Sequence, residues 1–182
     1  MAKILAFDVA GEATGWSYAE GRTLKAYGKH ISNIRKPKGE RLYAFYVYIG
    51  SLLEKYTPDI ILVERPYIGR NSGVLTNLSK FIAMIDLQAY SVLKIEIKPE
   101  WYIHSRAVKR IMDLKKLKGN NHTTRDKYNH NKREMVRKVN KQFGLKLKFN
   151  ANVSKRYNDD DIADSIGLLV TWWKMQGDKT EN

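Results

Sequence analysis

Cysteine is absent from this chain, which excludes disulfide staples and thiolate-bound zinc. Long apolar runs are absent too: no window approaches the roughly 18–20 residues that a membrane-spanning helix needs. The N-terminal stretch MAKILAFDVAGEATG carries one lysine and a short apolar run that meets an aspartate, so it reads as a strand and not as a secretory signal. Nothing marks export, and an intracellular location is expected. Proline occurs four times, at Pro37, Pro58, Pro66 and Pro99, each time between periodic segments. Acid is in short supply, with 19 Asp/Glu against 33 Lys/Arg and a net charge of +14.

What remains is ordinary for a folded protein. The chain has 182 residues, 43% hydrophobic and 29% charged, which argues against global disorder and allows a real core. One domain over residues 1–176 is expected, with a frayed tail at 177–182 and no internal repeat. The charge is uneven. Between Arg106 and Lys141 there are thirteen Lys/Arg and three Asp/Glu, which supplies +10 of the +14. Such a block suits a polyanion, nucleic acid above all. Anionic lipid is the other candidate, but the block lacks the aromatic-lined amphipathic face of an interfacial helix.

The hydrophobic pattern gives an element order. Residues 3–10, 14–19 and 24–31 read as a meander of three strands, with a hairpin break at Glu20-Gly21-Arg22. Apolar residues at helical spacing predict a helix over 40–56, stopped by Thr57-Pro58-Asp59. Ile60–Val63 is a continuous apolar run, as in a central strand covered on both faces. A long helix is expected over 75–93, then a short strand at Ile95-Glu96-Ile97. Helices near 106–114, 132–143 and 159–175 follow, with a polar loop over 115–131. This order predicts an α/β fold: a mixed five-stranded central sheet with helices on both faces.

Four acids stand out against the basic background. Asp8 follows Ile4-Leu5-Ala6-Phe7, and Glu64 follows Ile60-Ile61-Leu62-Val63. Asp161 and Asp164 lie at the head of the last helix, three apart and so on one face; Asp160 and Asp164, four apart, share a face equally well. Helix capping explains Asp159 and Asp160, but it explains Asp164 poorly, because that residue sits deeper and is followed by Ile166, Leu168, Leu169 and Val170. Carboxylate oxygens without Cys or a paired His motif select Mg²⁺ or Mn²⁺ over zinc. Two such ions roughly 4 Å apart suit phosphodiester hydrolysis. The four histidines, His30, His104, His122 and His130, read as solvent-exposed or phosphate-contacting.

These residues resemble the RuvC family of Holliday junction resolvases, within the RNase H-like superfamily. The resemblance covers most of the chain. The family opens with a strand and Asp-Pro-Gly-x-x-x-Thr-Gly; here the residues are Asp8-Val9-Ala10-Gly11-Glu12-Ala13-Thr14-Gly15, with Val9-Ala10 in place of Pro-Gly. The family's second acid ends a strand that follows Pro-Asp, matching Pro58-Asp59 and Glu64. Its last two acids form Asp-x-Ala-Asp, matching Asp161-Ile162-Ala163-Asp164, and the resemblance thereby selects Asp161 over Asp160.

The resemblance implies an RNase H-like fold and a Mg²⁺-dependent endonuclease that cuts branched DNA in recombination and repair, leaving 5′-phosphate ends. Asp8, Glu64, Asp161 and Asp164 would hold two Mg²⁺ ions, with Mn²⁺ as a substitute. Tyr67, three residues after Glu64, would stack near the junction crossover, with Arg70 in the same loop. Lys109 and Arg110 at one helix, and Lys132 and Arg133 at a later basic one, would contact phosphates, Lys132 also as a catalytic lysine. A homodimer through the helix 75–93 is implied, since a four-way junction has two-fold symmetry. The basic insertion over 115–131 is longer than in bacterial members, a divergence also met in viral ones, phage included. Three other readings stay open: a nuclease on RNA–DNA hybrids, a junction-binding protein without catalysis, and an actin-like ATPase, which would need two such domains.

Overall fold

The structure is a computed structural model and describes residues 1–66, 72–115, 117 and 122–180. Its sheet comprises β1 (Lys3–Asp8), β2 (Ala13–Glu20), β3 (Thr23–Ile31), β4 (Ile60–Glu64) and β5 (Tyr102–Ile103), in the order β3-β2-β1-β4-β5. The first three strands form the expected antiparallel meander; β4 pairs parallel to β1, and β5 parallel to β4. The helices are α1 (Lys38–Tyr56), α2 (Ser72–Gln88), α3 (Ser105–Ile111), α4 (Thr124–Phe143) and α5 (Asp160–Thr180).

Strand alternation divides the core into two layers. Leu5, Phe7, Ile61 and Val63 point to one face, where they pack with Phe45, Ile49 and Leu53 of α1 and Phe81, Ile82 and Ile85 of α2. Ile4, Ala6 and Leu62 point to the other, against Val108 of α3, Met135, Val136 and Val139 of α4, and Ile166 and Leu169 of α5. Both faces of β1 and β4 are covered, which is why these strands read as unbroken apolar runs. The alternation has a consequence for the acids. Asp8 follows Ile4 and Ala6, and Glu64 follows Leu62, so both carboxylates emerge on the α3–α5 side.

Gly15 fixes how closely α5 approaches. It pairs with Asp8 across the β1–β2 ladder. A Cβ there would lie 1.9 Å from the backbone oxygen of Asp161. The Thr-Gly of the first motif is therefore a seat for the head of α5. Thr14 beside it is buried, and its hydroxyl donates to the Ala10 carbonyl at 3.3 Å, tying the turn after Asp8. Replacing Gly15 with Ala forces two backbones apart and should cost about 3 kcal/mol, the upper end of ordinary overpacking. Urea unfolding measures it; a loss under about 1 kcal/mol would refute the seat.

Three expected elements differ. Ile95-Glu96-Ile97 is not a strand. The helix of α2 runs on as one π-helical stretch over Ala89–Leu93, and Lys94 ends it in the left-handed region at φ 57°. The Ile95 amide then bonds back to the Ala89 carbonyl, which takes it away from the sheet. The fifth strand is instead Tyr102–Ile103, after a single 3₁₀ turn begun by Pro99. The loop expected over 115–131 is helical from Thr124. Thr123 accepts from the Asp126 amide and the Asp126 side chain accepts from the Thr123 amide, a complete capping box. The tail expected from Gly177 is helix as far as Thr180. Its last turns are held by Trp172 in the core, by Trp173 against Phe143, and by Arg22, which donates to the Trp173 carbonyl at 3.5 Å.

Candidate active site

Asp8 and Glu64 end adjacent parallel strands in register, Phe7 facing Val63 one residue before them. The two side chains lie close enough that Glu64 favours the protonated form of Asp8. Asp8 is the buried partner, 6% exposed. Burial, then the charges of Glu64 and Asp164, push its pKa well above the usual carboxylate range, and Lys132 only partly offsets this. Asp164, one turn into α5, completes the group.

Lys132 on α4 reaches this group from the other side. Its ammonium forms an ion pair with Asp164 and a second with Asp160, at 3.1 Å, and lies 5.5 Å from the centre of the Tyr128 ring. Burial disfavours the charged lysine, but Asp164, Asp8 and Asp160 outweigh it and hold its pKa well above the ordinary value. Asp160 was explained above as a helix cap. It is instead a buried residue, 1% exposed, facing Lys132. The i,i+4 spacing of Asp160 and Asp164 was the signal for this, since both must then face α4.

Asp161 is equally buried but turns toward Lys155, 3.8 Å away. Its pKa is pushed up to about 6, by burial first and against the pull of Lys155. One of its carboxylate oxygens, Oδ2, has no hydrogen-bond partner among the described residues. Lys155 is a second cation at the site that the sequence did not single out.

Asp8, Glu64, Asp164 and Lys132 line one side of a cavity of about 1240 Å³. Arg65, His104, Arg106, Lys109 and Arg110 line it as well. Lys109 and Arg110 are exposed, as a phosphate contact requires; Arg133, also exposed, is not part of this lining. Arg65 does not pair with Glu64. It donates to Nε2 of His104 at 3.0 Å, which leaves the imidazole proton on Nδ1. His104 thus stands at the cavity, while His130 bonds to the Lys115 carbonyl. His30 corrects the reading of the histidines as exposed. It is half-buried on β3 against Phe45 and Tyr48, and burial lowers its pKa. Tyr67 and Arg70 lie outside the described residues.

Among the described residues, no three acidic or histidine side chains converge closely enough to hold a metal ion. Ammonium groups instead pair with three of the carboxylates: Lys132 with Asp160 and Asp164, and Lys155 with Asp161. The donor chemistry nonetheless fits a hard divalent cation. The acids are buried (Asp8, Asp161) or half-buried (Glu64, Asp164), supply only oxygen, raise the pKa of Asp8 and Asp161 and leave Asp161 Oδ2 unpartnered, which is an electrostatic deficit that a divalent cation would fill.

By sequence, no protein-family model and no curated protein matches the chain. Solved structures do match, over nearly its whole length. RuvC of Thermus thermophilus in complex with a Holliday junction substrate superposes with a TM-score of 0.68 at 12% identity, covering 97% of this chain and 96% of that one. Fowlpox virus resolvase, in complex with its substrate Holliday junction DNA, gives 0.57 at 16%, over 96% and 98%. The yeast mitochondrial Holliday junction resolvase gives 0.54 at 14%, over 96% and 78%. The mixed sheet and the helices on its two faces are thus the RNase H-like fold of RuvC and other Holliday junction resolvases.

Proposed function

We propose that this protein is a divalent-metal-dependent endonuclease that cuts branched DNA, four-way junctions above all. One observation carries the reading: a buried acid, Asp8, two half-buried ones, Glu64 and Asp164, and the exposed cations Arg106, Lys109 and Arg110 line the same cavity. Cations alone would favour a binding protein, and acids alone would repel DNA. Their juxtaposition suits a phosphodiester drawn in by charge and cleaved where it meets the carboxylates.

Asp8, Glu64 and Asp164, with Asp161 turned from Lys155, are the residues to hold Mg²⁺ or Mn²⁺, two ions in our reading. Such ions supply activation of water and neutralisation of the leaving oxygen, giving 5′-phosphate and 3′-hydroxyl ends. The chain's own groups do the rest. Arg106, Lys109 and Arg110 grip the backbone. Lys132 offers an ammonium to the non-bridging oxygens as charge builds on them. Arg65 and His104 form a polar rim beside Glu64. Tyr67 and Arg70, which follow Glu64 in the sequence, are proposed to meet the bases and backbone at the branch point, and Arg133 to extend the basic track along α4.

A two-fold dimer suits symmetric cutting of a symmetric junction. Its contact is proposed on α2 and the π-helical stretch after it. Ala83, Leu87 and Tyr90 form an exposed stripe there at i, i+4 and i+7. Exposed Tyr43 and Val47 lie on α1 next to Tyr46, whose carbonyl accepts from Gln88.

The test is cleavage of end-labelled four-way, Y-shaped and duplex DNA and of an RNA–DNA hybrid, with Mg²⁺ or Mn²⁺. Paired cuts in the four-way junction, with little cutting of duplex, are expected. Cutting of the hybrid alone would transfer the assignment to an RNase H-type activity. Tight junction binding without cutting on any substrate would make the protein a binding module.

A further inference from the structure

Lys132 has two counterions, and only one of them, Asp164, lines the cavity. The other, Asp160, lies behind it at the first residue of α5, almost without solvent contact. Asp160 directs Oδ2 at the ammonium, while its Oδ1 is buried with no hydrogen-bond partner among the described residues. A carboxylate kept so far from water with half its acceptors unused costs stability unless its charge is needed there. Helix capping does not explain it, because Oδ1 accepts from no backbone amide among the described residues and Oδ2 faces the Lys132 ammonium.

We propose that Asp160 is a positioning residue: a second berth for Lys132 that frees Asp164 to bind a divalent cation and keeps the ammonium at the reaction site. The inference rests on the metal-dependent reading above. Without a cation, Lys132 bridges Asp160 and Asp164 and offsets half of their joint charge. When Mg²⁺ or Mn²⁺ takes Asp164, a lysine with no other partner would be stranded, buried and uncompensated, so cation and lysine would compete for one carboxylate. Asp160 removes the competition. Lys132 leans on it, keeps its charge, and still points into the cavity, where Tyr128 limits its lateral movement. The sequence matches this geometry: Asp160 and Asp164 are four apart, so one lysine from α4 can touch both.

The experiment measures cation binding without DNA, as the shift of thermal unfolding with Mn²⁺ or Mg²⁺ concentration. In Asp160→Asn the half-saturating cation concentration should rise about tenfold, because Lys132 now holds Asp164 alone. Asp160→Glu, which keeps the berth, should restore binding to within about threefold. In a Lys132→Met background there is no lysine to berth, so Asp160→Asn should change the concentration less than about threefold. Asp160→Ser serves the same comparison if the Asn variant does not fold. An equal rise in both backgrounds overturns the inference, since Asp160 would then act on the cation itself. So does an unchanged half-saturation in Asp160→Asn. A wild-type protein that shows no response to either cation overturns this inference and the metal-dependent reading together, whereas the two preceding results overturn the berth alone.

Discussion

Asp8→Asn and Glu64→Gln should each reduce cutting of a four-way junction by about 10³-fold or more, while junction binding stays within about threefold of wild type. The size follows from losing a charged oxygen where a phosphodiester must be attacked, a loss of about 4 kcal/mol or more in transition-state stabilisation. Binding should survive because neither substitution alters Arg106, Lys109 or Arg110, the proposed contacts to the phosphate backbone. The two substitutions also remove negative charge from the cavity proposed to admit DNA, so binding should strengthen if it moves at all. Single-turnover cleavage beside a gel-shift titration at fixed salt separates the two quantities. Retention of more than a tenth of wild-type cutting in Glu64→Gln would sink the assignment.

The second large effect is on stability, and its sign is opposite to the usual one for acids. Asp161 titrates at about 6 in the folded protein against 3.8 for a free aspartate, and Asp8 is raised in the same direction. The folded state therefore binds more protons than the unfolded one between these values. Stability falls as pH rises from about 4 to 6 and stays low above that, a penalty at pH 7 of about 3 kcal/mol for Asp161. Removing that charge should stabilise the metal-free protein: Asp161→Asn should raise the unfolding midpoint at pH 7 by roughly 6–12 °C, and by much less at pH 4. Added Mg²⁺ should stabilise the wild-type protein more at pH 7 than at pH 5, since it competes with protons for the same oxygens. Calorimetry at the two pH values with and without Mg²⁺ reads all of this. A wild-type protein that gains stability from pH 4 to 7 without metal, or an Asn variant that melts lower at pH 7, would refute it.

The acids of the two strands were legible in the sequence because each follows an apolar run that only a doubly covered strand explains. Asp8 and Glu64 then had to be neighbours if those strands were. The head of α5 was less legible. Spacing allowed Asp160 or Asp161 to join Asp164, and the structure gives both a place, Asp160 on Lys132 and Asp161 toward Lys155. The strand expected at 95–97 failed because β-branched residues in alternation say nothing about which backbone groups already have partners; here the Ile95 amide bonds to the end of a helix. The start of α4 was signalled by Thr123 and Asp126, a capping pair hidden inside a polar stretch without apolar periodicity.

By itself, then, the sequence determined the layers of the fold, the place of Asp8 and Glu64 at the ends of buried strands, and the excess of positive charge, because these follow from local periodicity and composition. Only the tertiary structure decided which cation meets which acid. Lys132 and Asp160 are 28 positions apart on different helices, and their contact depends on how closely α5 seats on the Gly15 backbone and how α4 crosses it. Those are packing distances, and no residue pattern along one element contains them.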